Sequence, residues 1–429
     1  MKTLQLRAKP LFFFALLCLL GGVTQLRAQP ADEKQIINTL RDEIVQDLRD
    51  NILPFWKKYA VDPTGGFQGG LNYDGTPRPN AQKGLVLNAR ILWTFSTAYR
   101  LFGEKEDLAM ANRAQHYLIN RFIDKTHGGA YWTLRADGTP GNTDKQTYGI
   151  AFAIYGLAEH YRATRNEESL QKAIELYQSL EKYAFDPEFG GYKESFTRDW
   201  QKPARYGYDG DGTSPKTMNT HLHVLEAFTN LYRVWPDDGL RKQFKALTEI
   251  VIDKILNQET WHEMLFFTRD WVNKEDIVSY GHDIEFAWLL DEAGKVLNDK
   301  PLREKIEKIS VKVAEVQMNE GLNPDGSMLS EKKGDHVQRN LSWWPQAETV
   351  VGFVNAYQLS GDKKFLLGAA KTWDWIKTHM IDREYGEWYG TVLENGTPMQ
   401  RGEKGSLWRC PYHNSRMGFE IYERFEHFE

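Results

Sequence analysis

The chain has 429 residues, with 59 acidic against 54 basic side chains and a formal charge of −5. A mildly acidic body argues against nucleic acid as a partner, and no basic run is long enough to grip a membrane surface. With only Cys18 and Cys410 available, disulfides cannot hold a chain of this length, so its stability must come from a large core.

Residues 1–28 read as an export signal. Lys2, Arg7 and Lys9 give a positive start, Leu11 to Val23 an uncharged apolar run, and Leu26-Arg27-Ala28 a small residue at a cleavage point before Gln29. The apolar run is short for a bilayer span. Removing these residues takes away Cys18 and four basic side chains, and the formal charge becomes −9. The expectation is a periplasmic or secreted protein whose body, residues 29–429, is one domain.

The body repeats itself. A Gly-Gly-aromatic turn recurs at Asp62-Pro63-Thr64-Gly65-Gly66-Phe67, Asp124 to Trp132, and Asp186 to Tyr192, with a degenerate copy at Asp382-Arg383-Glu384-Tyr385-Gly386-Glu387-Trp388. The first two gaps, between Gly65, Gly128 and Gly190, are 63 and 62 residues; the gap to Gly386 is 196, close to three more units. Two worn copies are expected in that gap, near Trp261–Trp271 and Asn323–Leu329. Several copies run into a second turn, as at Asp74-Gly75-Thr76-Pro77, so each makes a short hairpin.

Between the hairpins the apolar spacing is helical, as at Ile37, Leu40, Ile44, Leu48 and Ile52. In chain order the spacing predicts helices over 35–57, 82–104, 106–122, 146–163, 167–184, 217–234, 238–256, 283–297, 302–319, 346–359, 363–380 and 413–427. Each repeat is helix, hairpin, helix. Six such pairs form either an open solenoid or a closed ring, and the economical reading is an all-α (α/α)6 barrel of twelve helices with short β-hairpins in the loops at one mouth.

The unusual polar residues fall at the starts of the helices that follow the hairpins. Arg90 lies near the start of the second, Tyr148 opens the fourth, and Asn219, His221 and His223 the sixth. His282 and Glu285 open the eighth, Trp343, Trp344 and Glu348 the tenth, and Trp408 to His413 the twelfth. In a barrel with parallel inner helices these starts share one mouth. Any one histidine there is an ordinary cap or packing residue; their convergence with an arginine and several tryptophans points to a site.

His223 to Glu226 and His282 to Glu285 are three apart, so each glutamate can orient its histidine. Histidine and glutamate also bind metal, but His-Glu-x-x-His is absent. Asp209-Gly210-Asp211-Gly212 resembles a calcium loop that would have Thr220 where glutamate is needed. There is no phosphate loop, no dinucleotide fingerprint and no nucleophile elbow. Cofactor-free acid–base chemistry without metal is the expectation.

At Asn88 to Ser96, Asn219 to Ala227, Gly281 to Glu285, Trp343 to Glu348 and Cys410 to Asn414 the chain resembles the N-acylglucosamine 2-epimerase superfamily, in particular its cellobiose and mannobiose 2-epimerase branch. The resemblance implies the (α/α)6 barrel and inversion at C2 of the reducing-end sugar of a β-1,4-linked disaccharide. It implies His282 and His413 as the acid–base pair, with His223 and Arg90 assisting. Tyr148, Asn219, Glu285 and Glu348 are implied sugar-holding residues. Trp408 and one of Trp343 or Trp344 are implied stacking platforms. A disaccharide or oligosaccharide is the expected partner, for a monomer or weak homodimer. An aldose–ketose isomerase, a monosaccharide or N-acetyl sugar epimerase, a glycoside hydrolase using Glu285 and Glu348, and a glycan-binding protein remain open beside this reading.

Overall fold

Two kinds of helix build the molecule. From Thr147 to His160 one helix is buried on every side, whereas between Asp238 and Ile250 another buries only Leu240, Phe244, Leu247 and Thr248. The first pattern belongs inside a shell and the second is the outer layer of one. The structure, a computed structural model, describes residues 32–207 and 212–426. The expected export signal and Asp209-Gly210-Asp211 lie outside the described residues.

The first helix, α1, joins Glu33–Asp47, a π turn Leu48–Ile52, and Leu53–Tyr59. Then come α2 (Leu85–Phe102), α3 (Lys105–Tyr117, ending in a π turn Leu118–Phe122), α4 (Thr147–Thr164) and α5 (Glu167–Ser179 with Leu180–Ala184). They are followed by α6 (Met218–Val234), α7 (Asp238–Ile250 with Val251–Ile255), α8 (Tyr280–Leu297) and α9 (Lys300–Glu320). The last three are α10 (Trp343–Ser360), α11 (Lys363–His379) and α12 (Tyr412–Phe425). No described helix is long and apolar enough to cross a membrane.

The even-numbered helices pack each on the next, and α12 returns to α2, so the inner layer is a closed ring. The odd-numbered helices lie outside, each against the inner helix before it, with α1 against α12. This is the (α/α)6 barrel, and the open solenoid is set aside. Four outer helices follow tight turns in which Asn166, Asp237, Asp299 or Asp362 accepts a backbone N–H of the first turn, an ordinary N-cap.

The hairpins do more than their local pattern foretells. The expected turns form, including the worn copies, as Leu256 facing Glu263 and Leu322 facing Met328. In addition, the strand feeding one inner helix pairs with the next hairpin: Lys83–Gly84 with Thr133–Leu134, Lys145–Gln146 with Ser195–Phe196, and Lys216–Thr217 with Phe266–Phe267. Leu71 facing Gly405 ties the first hairpin to the segment before α12. One sheet has three strands, Ile277–Ser279, Glu331–Lys333 and His336–Val337, an addition to the hairpin pattern.

A buried lysine recurs with these strands. Lys83, Lys145 and Lys404 donate to Asp62, Asp124 and Asp382 at 2.6, 2.9 and 2.7 Å, and Lys216 lies 3.3 Å from Asp186. The aspartate is the first residue of each Gly-Gly motif, and its other oxygen caps the turn, as for Thr64 N on Asp62. Each pair therefore pins a turn to the start of an inner helix, which fixes where the residues at the mouth stand.

Candidate functional site

Arg90, Tyr148, Asn219, His223, His282, Glu285, Trp343, Trp344, Trp408 and His413 line one cavity of about 320 Å3 at the start of the inner helices. Glu331, on the three-stranded sheet, joins them and also lines a neighbouring cavity of about 400 Å3 that shares Asn219 and His282. Of the site residues that the family resemblance implies, Glu348 alone is placed elsewhere. It is buried behind His413 and does not line the cavity.

His413 stands in the first turn of α12. Its Nδ1 lies 2.7 Å from Glu348 Oε1, and Glu348 also accepts from Trp288 Nε1 at 3.0 Å and Arg416 Nη2 at 2.7 Å. With two donors already on this carboxylate, it acts as an acceptor, so Nδ1 carries the proton and Nε2 is the lone-pair nitrogen on the cavity side. Burial pushes His413 well below the usual imidazole range; Glu285 opposes this, and Arg90 and Arg416 reinforce it. A neutral imidazole is the state of a base. Glu348, expected among the sugar-holding residues, is instead turned toward His413, where it can position that ring.

His223 has the same arrangement, Nδ1 lying 2.9 Å from Glu226 Oε2, as the three-residue spacing requires. Burial would push Glu226 up, but Arg416, then His223 and Tyr412, hold it down at about 2. His282 departs from the expectation. Its Nδ1 lies 2.7 Å from Ser279 Oγ, in the residue just before α8, while Glu285 accepts from Arg416. The two residues share a face, but the Arg416 guanidinium, a charge-assisted donor, takes up Glu285. His221, in the same motif as His223, faces away. Nδ1 lies 2.6 Å from the Thr217 carbonyl, Nε2 accepts from Tyr192 N at 2.9 Å, and burial pushes the ring down to about 4.

Arg90 is buried, donates to Tyr148 Oη at 2.8 Å, and lies 4.2 and 4.4 Å from the ring centres of Phe152 and Tyr412. Burial pushes the Tyr148 phenol up against the pull of Arg90. The Asn219 side-chain oxygen has no partner among the described residues.

The two tryptophans divide their duties. The Trp344 ring centre lies 4.6 Å from His282 and 5.5 Å from His413, so it packs against both. Gly281 is required there: a Cβ would meet the Trp344 ring at 2.5 Å. Trp343 has Arg409 over its ring at 5.2 Å. Arg409 in turn donates to Glu387 Oε2 at 3.1 Å, and Asn414, next to His413, donates to Glu387 Oε1 at 2.7 Å. Glu387 has a φ of 62°, in the place where the other motif copies have Gly66, Gly129 and Gly191. Such a conformation costs about 1 kcal/mol or more for a residue with a side chain. Here the side chain braces Trp343 and the start of α12.

Sequence reasoning missed Arg416, Glu387, Arg409 and Ser279. Arg416 had a signal, lying three residues after His413 on an inner helix where an arginine must be buried. Glu387 had another, a glutamate in a glycine position. Ligand atoms of Glu285, Glu348 and His413 lie within 4.8 Å of one another, a spacing a cation could use. Arg416 already supplies a positive group to both carboxylates.

Fold and cup together define the class: an (α/α)6 barrel with histidines, an arginine and tryptophans gathered at one mouth. The chain belongs to the N-acylglucosamine 2-epimerase family, which it matches over residues 65–413. It is 45% identical to the cellobiose 2-epimerase of Bacteroides fragilis, over 89% of this chain and 98% of that protein. It is 40% identical to that of Ruminococcus albus, over the same shares. The solved cellobiose 2-epimerase of Bacillus thermoamylovorans superposes with a TM-score of 0.87 at 39% identity, covering 90% of this chain and 100% of that one.

Proposed function

We propose that this protein is a disaccharide 2-epimerase, inverting C2 of the reducing-end sugar in a β-1,4-linked substrate such as cellobiose or mannobiose. The observation that carries the reading is the placing of His282 and His413 against one tryptophan in one cavity, each with Nδ1 held by a side chain outside that tryptophan. The kinship with cellobiose 2-epimerases supports the substrate class. Two adjoining cavities that share Asn219, His282 and Glu331 suit a substrate of two rings.

The sugar opens to its aldehyde, which makes the C2 hydrogen acidic. One histidine takes that proton and an enediolate forms. Arg90, buried and cationic, stabilises the oxyanion. The other histidine returns a proton to the opposite face, turning gluco into manno. His223 assists from the third side of the cavity, and Tyr148, Asn219 and Glu285 hold the hydroxyls. Trp343 and Trp408 serve as platforms, since the ring of Trp344 packs between the histidines. A glycosidase reading needs two carboxylates facing the bond; Glu285 and Glu348 both accept from Arg416 instead.

The test is conversion of cellobiose in heavy water, followed by NMR. The expected product is glucosyl-mannose with deuterium at C2 and the glycosidic bond intact. Complete retention of protium would sink the two-base route, ketose product would make the protein an aldose–ketose isomerase, and free glucose a hydrolase.

We also infer that residues 1–28 direct export. Mass spectrometry of the protein from its native host should find Gln29 at the N-terminus; an intact Met1 on cytoplasmic material would remove the inference.

A further inference from the structure

Beneath the cup, charges from several inner helices meet at Arg416. It lies on α12 one turn below His413 and is fully buried. Nη1 donates to Glu226 Oε1 at 2.7 Å and to the Tyr412 hydroxyl; Nη2 donates to Glu348 Oε1 at 2.7 Å and to Glu285 Oε1. The three carboxylates come from α6, α8 and α10. Two of them are the groups that hold His223 and His413. On Glu348 the same oxygen accepts from both Arg416 and His413. Two donors on one oxygen compete: the more firmly Arg416 holds it, the less negative charge it offers the imidazole. Glu226 presents the same competition between Arg416 and His223, divided over its two oxygens.

We propose that Arg416 is a positioning residue that couples the His413–Glu348 and His223–Glu226 pairs into one charge unit, so that a cation which never meets the sugar sets how readily His413 binds a proton. The proposal rests on the epimerase reading above. Other groups face the unit: Arg90 from α2, Tyr148 and Tyr155 from α4, His223 from α6, Glu285 from α8 and Tyr412 from α12. Arg90 is the other cation acting on His413, and its own hydrogen bonds run to Tyr148 and the Trp408 carbonyl. Arg416 alone among the described residues bonds to both carboxylates that hold histidines of the cup. The electrostatics agree: burial, Arg90 and Arg416 all disfavour the charged form of His413.

The experiment follows the His413 imidazole by NMR in protein with 15N-labelled histidine, free of substrate, beside the pH profile of kcat/KM. In Arg416→Gln the His413–Glu348 pair is expected to take up a proton at a pH at least about one unit higher. The acid limb of kcat/KM should move by the same amount, with kcat falling more than KM changes. Arg416→Lys keeps the cation and should restore most of the wild-type titration. Glu226→Gln leaves Arg416 more fully on Glu348, so His413 should move the opposite way, to lower pH; this variant decides the matter if Arg416→Gln does not fold. An unmoved His413 in a folded Gln variant, or a shift in Arg416→Lys as large as in Arg416→Gln, would overturn the proposal. The titration needs no turnover, so a wild-type protein without epimerase activity would defeat the functional reading and leave the coupling to stand or fall on its own.

Discussion

His413 and His282 differ in what stands behind them. One has a buried carboxylate at Nδ1 and the other a serine hydroxyl. A carboxylate both turns the ring and steadies the imidazolium that forms when a proton is taken, whereas a hydroxyl mainly turns it. Replacing His413 with Ala is expected to lower kcat by about 10²–10⁴-fold with the fold intact. Glu348→Gln is expected to lose about 10²-fold or more, because its amide can donate to Nδ1 and trap the wrong tautomer. Both losses should appear in kcat rather than KM, measured by steady-state epimerisation. A Glu348→Gln protein that loses only affinity would return Glu348 to the sugar-holding set. The histidines were legible because they open helices whose starts share a mouth. Glu348 was found but its place behind His413 was not, since periodicity gives a residue's face and not its depth below the rim. Ser279 was invisible, because a serine before a helix reads as an ordinary cap.

At the scale of elements, the hairpin from Leu256 to Phe267 is held to α8 through His262. Its Nδ1 lies 2.7 Å from Asp283 Oδ2 and its Nε2 3.2 Å from Glu320 on α9. Asp283 also accepts from the backbone of Glu263 and from Gln317, so the residue beside His282 is gripped by three groups from two segments, the hairpin and α9. Burial pushes His262 down, but Asp283 and Glu320 outweigh it and raise the ring above the usual imidazole range. A raised imidazole stabilises the fold fully below its unfolded value, and that stability fades as pH rises through the folded value. Wild type should therefore exceed His262→Gln by about 1–2 kcal/mol near about pH 6, with the gap narrowing by about pH 9, as thermal melts would record. A gap that widens with pH would contradict the pairing. In this region the glycine motif is worn, and Asn257 stands where other copies have the aspartate that receives a lysine. The histidine clamp takes over that task, which is why the repeat could be placed but its fastening could not.

The whole molecule was the most legible level. Six helical pairs and their hairpins follow from a spacing of about sixty residues, and no predicted helix misses its observed start by more than about three residues. The way neighbouring repeats are stitched was hidden. Strand pairs such as Lys83–Gly84 with Thr133–Leu134 span two residues each, too few for alternation to show. The lysines that pin Asp62, Asp124 and Asp382 lie 21 or 22 residues downstream and look like surface charges in sequence. Because each pin faces the next inner helix, the accuracy of the cup is distributed around the ring rather than stored in one loop.

A ring has no first repeat. Tyr357 donates to Glu33 at the start of α1, and the adjacent Gln358 donates to the Arg424 carbonyl near the end of α12, so both ends of the folded body meet the same corner of α10. The order in which the repeats are strung is thus separable from the order in which they stand. A circular permutant with those ends joined by a short flexible linker, and new termini opened between Gly103 and Glu104 in the exposed turn after α2, should reach the same barrel. It should unfold cooperatively and epimerise within about tenfold of the parent. Failure to fold would mean that closure depends on α1 being made first; success would make the cup a property of the circle and leave the choice of starting point to history.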